Sequence, residues 1–217
     1  MSISGSTVAI IGTGNIGGTV AADFAAGGQD FLLAGRHAEA ARAIAATLGG
    51  HAEAVSLDEA FQRADVLLPA VWFDVFKQLI SQYGQQLAGK VIIDPTNPVG
   101  PTGEGGYQKI IGEQESSGQI LAGLLPAGAR LVKAFGSLSA GSLSSAAGQE
   151  PDRAVLFYAA DDETAGDLVA GLIGAAGFDP VRVGGLDQSI RIEMFGDLHE
   201  YGSLGRVVTR AEALKAV

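Results

Sequence analysis

A glycine-rich turn, Gly12–Gly17 (GTGNIG), is the segment whose residue types and spacing best suit chemistry. It has the spacing G-x-G-x-x-G, follows the apolar segment Thr7–Ile11 and opens a helix predicted over Ile16–Ala26. Unpaired backbone N–H groups and the positive end of a helix dipole attract phosphate at such a place. The turn therefore predicts binding of a pyrophosphate group of the kind that a dinucleotide carries.

Each glycine of this turn has a separate predicted task. Gly12 permits the tight turn, Gly14 lets the pyrophosphate approach the backbone, and Gly17 lets the helix lie close to the sheet. A glycine-rich turn without any ligand is the alternative interpretation. The predicted cofactor contacts in this segment are Gly12, Thr13, Gly14, Asn15 and Ile16.

The end of the second predicted strand, Phe31–Ala34, indicates which dinucleotide binds. In NAD-binding units an acidic residue about 20 positions after the glycines accepts the ribose 2′-OH. Here Arg36 takes that place, and a guanidinium binds a 2′-phosphate through charge-assisted hydrogen bonds, with His37 as a second predicted contact. The sequence therefore predicts NADP(H) rather than NAD(H). A solvated surface charge at Arg36 is the alternative.

Short apolar segments alternate with helical segments along most of the chain. This alternation predicts an α/β protein with a Rossmann-type, doubly wound, mainly parallel sheet. We expect residues 1–136 to form an NADP(H)-binding domain. The smaller C-terminal portion, residues 137–217, is expected to complete the sheet as an α/β extension and to form the acceptor side of the cleft.

Two later segments are predicted from their composition. Thr96–Gly106 is rich in proline and glycine, which predicts a long loop, and such loops in compact domains are often functional. Gln188–Val208 is predicted to be a long terminal helix interrupted by three glycines. We expect a homodimer built through this helix, because so small a sheet leaves the acceptor side of its cleft open.

Several segments taken together carry a family resemblance. They are V-A-I-I-G-T-G-N-I-G (8–17), A-G-R (34–36), L-L-P-A-V-W (67–72), K-V-I-I-D-P-T-N-P-V (90–99), L-V-K-A-F (131–135) and V-G-G-L-D (183–187). In this order the chain resembles the NADP oxidoreductase family that acts on coenzyme F420, a deazaflavin. It is also similar to the soluble reductase domain of six-transmembrane ferric reductases.

The resemblance implies further site residues at the carboxyl ends of strands, where such sheets bind ligands. Expected beside the ribose and nicotinamide are Ala70, Val71 and Trp72. We expect Asn97 and Pro98 to line the same cleft. We expect Lys133, Ala134 and Phe135 to end the strand that faces the nicotinamide. For Trp72, packing without ligand contact is the alternative.

The resemblance implies hydride transfer between NADP(H) and a deazaflavin (F420) or flavin-like acceptor. Gly136-Ser137 departs from the ferric-reductase pattern, and residues 191–197 are more polar than the matching segment of the deazaflavin enzymes. Two alternatives therefore stay open. One is a reductase of a ferric chelate, quinone or small carbonyl, and the other is a non-catalytic NADP(H)-binding module.

No catalytic residue is predicted, because hydride transfer between two bound rings needs alignment more than acid–base catalysis. Lys133 or His199 could donate a proton to a carbonyl or imine. A structural or surface role is the alternative for both. Met194 and Phe195 are interpreted as core or interface residues.

Composition excludes several other classes. The net charge of -10 disfavours nucleic acid and anionic membranes. The absence of cysteine excludes disulfides and thiolate chemistry, and the count of only three histidines disfavours a metal site. No apolar run is long enough to span a membrane, and Met1–Ser6 shows no signal peptide. We expect a cytoplasmic protein whose partner is a small-molecule electron acceptor or donor.

Overall fold

Eight strands form one sheet in the computed structural model, which describes residues 5–103 and 105–217. In chain order they are β1 Val8–Ile11, β2 Phe31–Ala34, β3 Ala52–Ala54, β4 Val66–Pro69, β5 Val91–Asp94, β8 Arg130–Lys133, β9 Val155–Ala160 and β10 Asp179–Gly184. Two more strands, β6 Val99–Pro101 and β7 Tyr107–Lys109, form a separate antiparallel hairpin. The first four residues of the segment Met1–Ser6 lie outside the described residues.

The order of the strands is β10-β9-β8-β5-β4-β1-β2-β3. From β3 to β8 all neighbouring strands are parallel, so β1, β4, β5 and β8 end at the same edge. Chain order reverses beside β1, which pairs with both β2 and β4, and such a switch point opens a ligand crevice. This is the doubly wound Rossmann fold that the sequence predicted.

Two layers of helices cover the sheet. The helices are α1 Asn15–Ala26, α2 Ala38–Ala45, α3 Leu57–Arg63, α4 Phe73–Tyr83, α5 Ser117–Leu124, α6 Ala140–Ala146, α7 Glu163–Ala175, α8 Ser189–Ile192 and α9 Arg210–Ala213. Short 3₁₀ turns occupy Gly84–Leu87 and Leu186–Gln188. None of the helices in the described ranges has the length and apolarity to cross a bilayer.

Alternation along the buried strands divides the core between the two layers. Ile10 and Leu68 belong to one cluster with Phe24 of α1, and Ala9 belongs to the opposite cluster with Phe76 of α4. Both clusters are closed by buried side chains on one face of each helix. The sheet is therefore held rigidly from both sides, and its carboxyl edge is the part left for ligands.

The direction of β9 departs from the parallel pattern. β9 runs antiparallel to β8, and β10 then pairs with β9 in parallel. β10 is the outermost strand, and its register shifts between Arg182 and Gly184. It contains Pro180, whose carbonyl oxygen accepts a hydrogen bond of 2.8 Å from Arg210 Nη1.

The prediction of a loop over Thr96–Gly106 is wrong in part. β6 lies inside it and pairs with β7, and the Thr102 N–H closes the hairpin by donating to the Gly106 carbonyl oxygen at 2.8 Å. The sequence gives no signal for β6, because it contains Gly100 and Pro101, and both residue types are rare in strand interiors. Glu104 of this segment lies outside the described residues.

The predicted terminal helix over Gln188–Val208 is also wrong. Only Ser189–Ile192 is α-helical there, and the rest of the segment consists of turns. Gly202 packs so closely that a Cβ there would lie 1.7 Å from the Gly196 carbonyl oxygen. These glycines thus allow two turns to cross in close contact. The homodimer stays a prediction, but it lacks the continuous helix on which it was based.

Candidate functional site

The glycine-rich turn joins the end of β1 to α1 in a conformation that needs its glycines. Gly12 has φ +118°, and a Cβ there would lie 2.3 Å from the Ala70 carbonyl oxygen. A Cβ on Gly17 would lie 2.1 Å from the Gly12 carbonyl oxygen. Both positions therefore exclude a side chain, so that β1, α1 and the end of β4 can meet closely.

Gly14 is different, because a Cβ built there meets nothing within 4 Å. It is the N-cap of α1, it is exposed, and no acidic residue stands in the first turn of this helix. Asn15 begins the helix on the exposed side, while Ile16 packs partly against the core. The open side of the turn thus presents backbone donors to solvent, which suits a phosphate group.

The end of β2 touches the glycine-rich turn. A Cβ on Gly35 would lie 3.2 Å from Thr13 Cγ2 and 3.3 Å from Thr13 Oγ1. The Gly12 N–H also donates to the Ala34 carbonyl oxygen at 2.8 Å. Arg36, one residue further, is therefore held next to the phosphate-binding turn.

Arg36 is exposed, and its Nε donates to His37 Nε2 at 3.3 Å. Within residues 5–103 and 105–217 no carboxylate lies within 4 Å of its guanidinium. The two acids nearest in sequence have other partners. Asp30 lies 2.7 Å from His51 Nδ1, and Glu39 lies 4.0 Å from Arg42. A cation with two free NH₂ groups is thus available beside the turn.

Ala70, Val71 and Trp72 follow β4 at the same edge. The Ala70 carbonyl packs against Gly12, and the Val71 N–H donates to the Pro69 carbonyl oxygen at 2.9 Å. Trp72 is 58% exposed, so core packing does not explain it. Its ring lies 6.3 Å from that of Tyr107 on the hairpin, which is 49% exposed, and the two rings form an aromatic pair at the cleft.

Four residues from three loops meet at what we call the Gly136 junction: Asn97, Gly136, Met194 and His199. Asn97 Nδ2 donates to the Gly136 carbonyl oxygen at 3.0 Å, and the Met194 N–H donates to Asn97 Oδ1 at 2.6 Å. A ring nitrogen of His199 also hydrogen-bonds the Gly136 backbone. The junction fixes the C-terminal turns against the ends of β5 and β8.

His199 is buried and neutral in this junction. Its Nδ1 accepts a hydrogen bond of 3.0 Å from the Tyr201 N–H, so its proton resides on the nitrogen that faces Gly136. Burial lowers the pKa of His199 to about 4. This ring therefore serves as a structural clamp.

A buried ionic cluster lies beneath the junction, centred on Lys133 at the end of β8. Lys133 Nζ lies 2.8 Å from Asp94 Oδ2, 2.7 Å from Ser117 Oγ and 3.8 Å from Glu193 Oε1, and it also donates to the Thr96 carbonyl oxygen. Lys133 and both carboxylates are almost fully buried. Two carboxylates thus offset one buried ammonium and connect β5, α5, β8 and the C-terminal turns.

Comparison with known families identifies the N-terminal part of this arrangement. The sequence model of the family described as "NADP oxidoreductase coenzyme F420-dependent" matches residues 7–98. Over these residues, the chain is similar to that family. The protein is an NADP-dependent oxidoreductase. No curated protein matches the chain significantly.

Solved structures share the fold of this oxidoreductase. A hypothetical protein from Sinorhizobium meliloti is 28% identical, with a TM-score of 0.82 over 95% of this chain and 97% of that one. A proposed F420-dependent NADP reductase from Arthrobacter sp. FB24 is 21% identical, with a TM-score of 0.70 over 85% and 87%. A reductive aminase from Aspergillus terreus is 21% identical, with a TM-score of 0.61 over 86% and 58%.

The structure brings most of the predicted site residues of the oxidoreductase to one edge of the sheet. The exposed or half-exposed ones are Gly12, Thr13, Gly14, Asn15, Ile16, Arg36, His37, Ala70, Val71, Trp72 and Asn97. Pro98 and Ala134 are buried, so they support the site from below. Phe195 is 51% exposed, so its interpretation as a core residue is wrong, while the alternative of an interface residue stays a prediction.

Sequence reasoning missed Tyr107 and the partners of Lys133 in the oxidoreductase. A lysine inside an apolar strand, L-V-K-A-F, was a signal that a buried carboxylate must lie near it. Asp94 at the end of the apolar V-I-I-D strand was the matching signal. Tyr107 gave no signal of comparable strength, because its hairpin was not predicted. Among the residues that the structure describes, no group of three or more acidic or histidine side chains could hold a metal ion.

Proposed function

We propose that the protein transfers hydride between NADP(H) and a deazaflavin, coenzyme F420, or a flavin-like acceptor. The observation that supports the nucleotide preference is the Arg36 guanidinium, which lies beside the open glycine-rich turn and has no carboxylate partner among the described residues. The family match and the Arthrobacter structure, named for F420-dependent NADP reduction, support the acceptor. The exposed aromatic pair of Trp72 and Tyr107 also suits a planar ring system.

The turn fits the proposed cofactor. The open space at Gly14 and the free donors at the start of α1 match a pyrophosphate, and Arg36 matches a 2′-phosphate. When bound, NADPH supplies a hydride, which carries both electrons to the acceptor. The proposed task of the chain is to hold the phosphates, to orient the two rings and to exclude water from between them.

The burial of Lys133 and His199 favours a flavin-like acceptor over a carbonyl. Reduction of a carbonyl needs a proton donor at the reacting oxygen, but Lys133 and His199 are both buried and engaged in hydrogen bonds. A flavin-like ring gains the hydride and takes its proton at a ring nitrogen that water can reach. The second sequence alternative, a non-catalytic module, makes no use of the aromatic pair.

The test is a panel of acceptors with NADPH, followed by the loss of nicotinamide absorbance. Coenzyme F420, FMN and riboflavin represent the proposed class, and a quinone, a ferric chelate and a small ketone represent the others. We expect turnover with F420 or the flavins and none with the ketone. Absence of NADPH oxidation with every deazaflavin and flavin would overturn the proposed acceptor. Binding of NADPH without any turnover would instead support the non-catalytic module.

A further inference from the structure

The turn of residues 193–196, which we call the Phe195 turn, is fixed on both sides of an exposed aromatic ring. Glu193 is buried, and its Oε1 accepts hydrogen bonds from Ser117 Oγ at 2.9 Å and the Gly118 N–H at 3.1 Å. The Met194 N–H is bound to Asn97. The two residues before Phe195 are therefore anchored to the sheet and α5.

The residue after the ring is fixed as well. A Cβ on Gly196 would lie 2.3 Å from the Ile190 carbonyl oxygen and 2.4 Å from that of Arg191. The Gly196 N–H also donates to the Glu193 carbonyl oxygen at 2.8 Å. The Phe195 turn is thus a closed, close-packed unit with little backbone freedom.

Phe195 itself has an unfavourable backbone conformation. Its φ is +74°, a region that phenylalanine rarely adopts, and its ring is 51% exposed. Neither core burial nor an exposed polar group compensates for the strain. Strained residues that are held in place by their surroundings cluster at ligand sites.

The position of the Phe195 turn relates it to the cleft. Met194, the neighbour of Phe195, is hydrogen-bonded to Asn97, which follows β5 at the carboxyl edge of the sheet. Asn97 in turn binds Gly136, which follows β8 at the same edge. The Phe195 turn, which carries the exposed ring, is therefore held at the edge that also carries the glycine-rich turn and Trp72.

We propose that Phe195 is an acceptor-binding residue whose ring packs against a face of a planar, conjugated acceptor. This inference rests on the proposed function and adds the residue that selects the acceptor. An apolar ring on an anchored backbone gives contact area without a loss of backbone freedom on binding. It favours flat aromatic acceptors over small aliphatic ones, because only flat rings cover its face.

The test uses the full chain and two readouts, the KM for coenzyme F420 and the direct binding of F420 measured by its fluorescence. Phe195→Ala should raise both the KM and the Kd for F420 about tenfold, because a ring contact of this kind is lost. The KM for NADPH should stay within about twofold. Phe195→Tyr, which keeps the ring, should restore wild-type values.

Phe195→Gly separates the proposed role from a structural one. Glycine adopts a positive φ without strain, so this variant should be at least as resistant to urea as the wild type. It should nevertheless lose F420 affinity as Phe195→Ala does. Leu214→Ala is the matched control, since Leu214 is an equally exposed apolar residue next to α9. It should change neither readout.

The outcomes distinguish this proposal from the proposed function. Unchanged F420 affinity in both Phe195→Ala and Phe195→Gly, with a wild type that binds and reduces F420, overturns the role of Phe195 alone. A wild type that binds NADPH but neither F420 nor FMN overturns both proposals. A loss of NADPH affinity in Phe195→Ala equal to the loss of F420 affinity also contradicts the role, because it indicates general disruption of the cleft.

Discussion

Arg36 shows how one side chain decides between two dinucleotides. It stands where NAD-binding units carry an acid, and it touches no carboxylate in the described part of the chain. It comes directly after Gly35, which lies close to Thr13 of the glycine-rich turn. A guanidinium at this place adds charge-assisted hydrogen bonds to a 2′-phosphate and gives nothing comparable to a 2′-hydroxyl. The nucleotide preference should therefore depend on this residue.

Arg36→Asp should erase or reverse the preference for NADPH. We expect the wild type to bind NADPH at least about tenfold more tightly than NADH, which corresponds to about 1.4 kcal/mol. In the variant, a carboxylate repels the 2′-phosphate. Calorimetric titration with both nucleotides measures the ratio. Arg42→Asp makes the same charge change on exposed α2 and should keep the wild-type ratio.

The predictability of single residues depended on how far their partners lie along the chain. The glycine-rich turn and Arg36 are local signals, since spacing and strand context alone suggest their chemistry. The Lys133 cluster joins residues that are 16 to 76 positions apart, from Lys133–Ser117 to Ser117–Glu193. Only the tertiary fold brings these side chains together. For the same reason the exposure of Phe195 could not be predicted.

At the scale of elements, α1 depends on the close approach between its first turn and the end of β1. Gly17 is buried at this contact, whereas a Cβ on the neighbouring Gly18 would meet nothing within 4 Å. The two adjacent glycines of the same helix therefore provide a matched pair. Their substitution separates the effect of close packing from that of helix propensity.

Gly17→Ala should destabilise the protein by about 2–3 kcal/mol or prevent folding, because overpacking against a backbone carbonyl cannot relax easily. Gly18→Ala should stabilise it by about 0.5–1 kcal/mol, because alanine is the better helix former. Urea unfolding followed by circular dichroism gives both values. Equal effects of the two substitutions would contradict the close contact at Gly17.

Elements with strong local patterns were predicted well. α4 carries such a pattern, because apolar residues at helical spacing define its buried face. The β6–β7 hairpin was missed, since strands of three residues that include Gly100 and Pro101 carry almost no strand signal. The helix predicted over Gln188–Val208 does not form, because the glycines of this segment serve close crossings of turns.

At the scale of the whole molecule, His199 connects stability to pH. Burial holds its folded-state pKa at about 4, below the unfolded value of 6.5. The unfolded chain therefore takes up a proton at this group between pH 6.5 and 4, while the folded protein does not. The contribution of the neutral ring is present above pH 6.5 and is lost as the pH falls toward 4.

His199→Gln should remove this acid dependence. The stability difference between wild type and variant should shrink by about 3 kcal/mol from pH 7 to pH 4. Burial raises the pKa of Asp23 to about 7, which opposes the trend in both proteins, so the comparison between them isolates His199. Urea unfolding at several pH values provides the measurement. A constant difference across this range would disprove the buried, neutral ring.

The direction of β9 marks the limit of sequence prediction for the whole fold. All six residues of β9 are buried, so the strand shows the same apolar run in either direction. The alternation of helices and strands predicted a parallel neighbour for β8, and the observed pair is antiparallel. The orientation of the strand depends on how the chain returns through α6.

β10 has a consequence for how copies of the protein can meet. Pro180 offers no N–H, its carbonyl is already bound by Arg210, and the register shift interrupts the strand. A neighbouring polypeptide therefore finds no regular hydrogen-bond ladder to extend along β10, which disfavours aggregation through this edge of the sheet. If the predicted homodimer forms, we expect no continuous sheet to run across β10 from one molecule to the next.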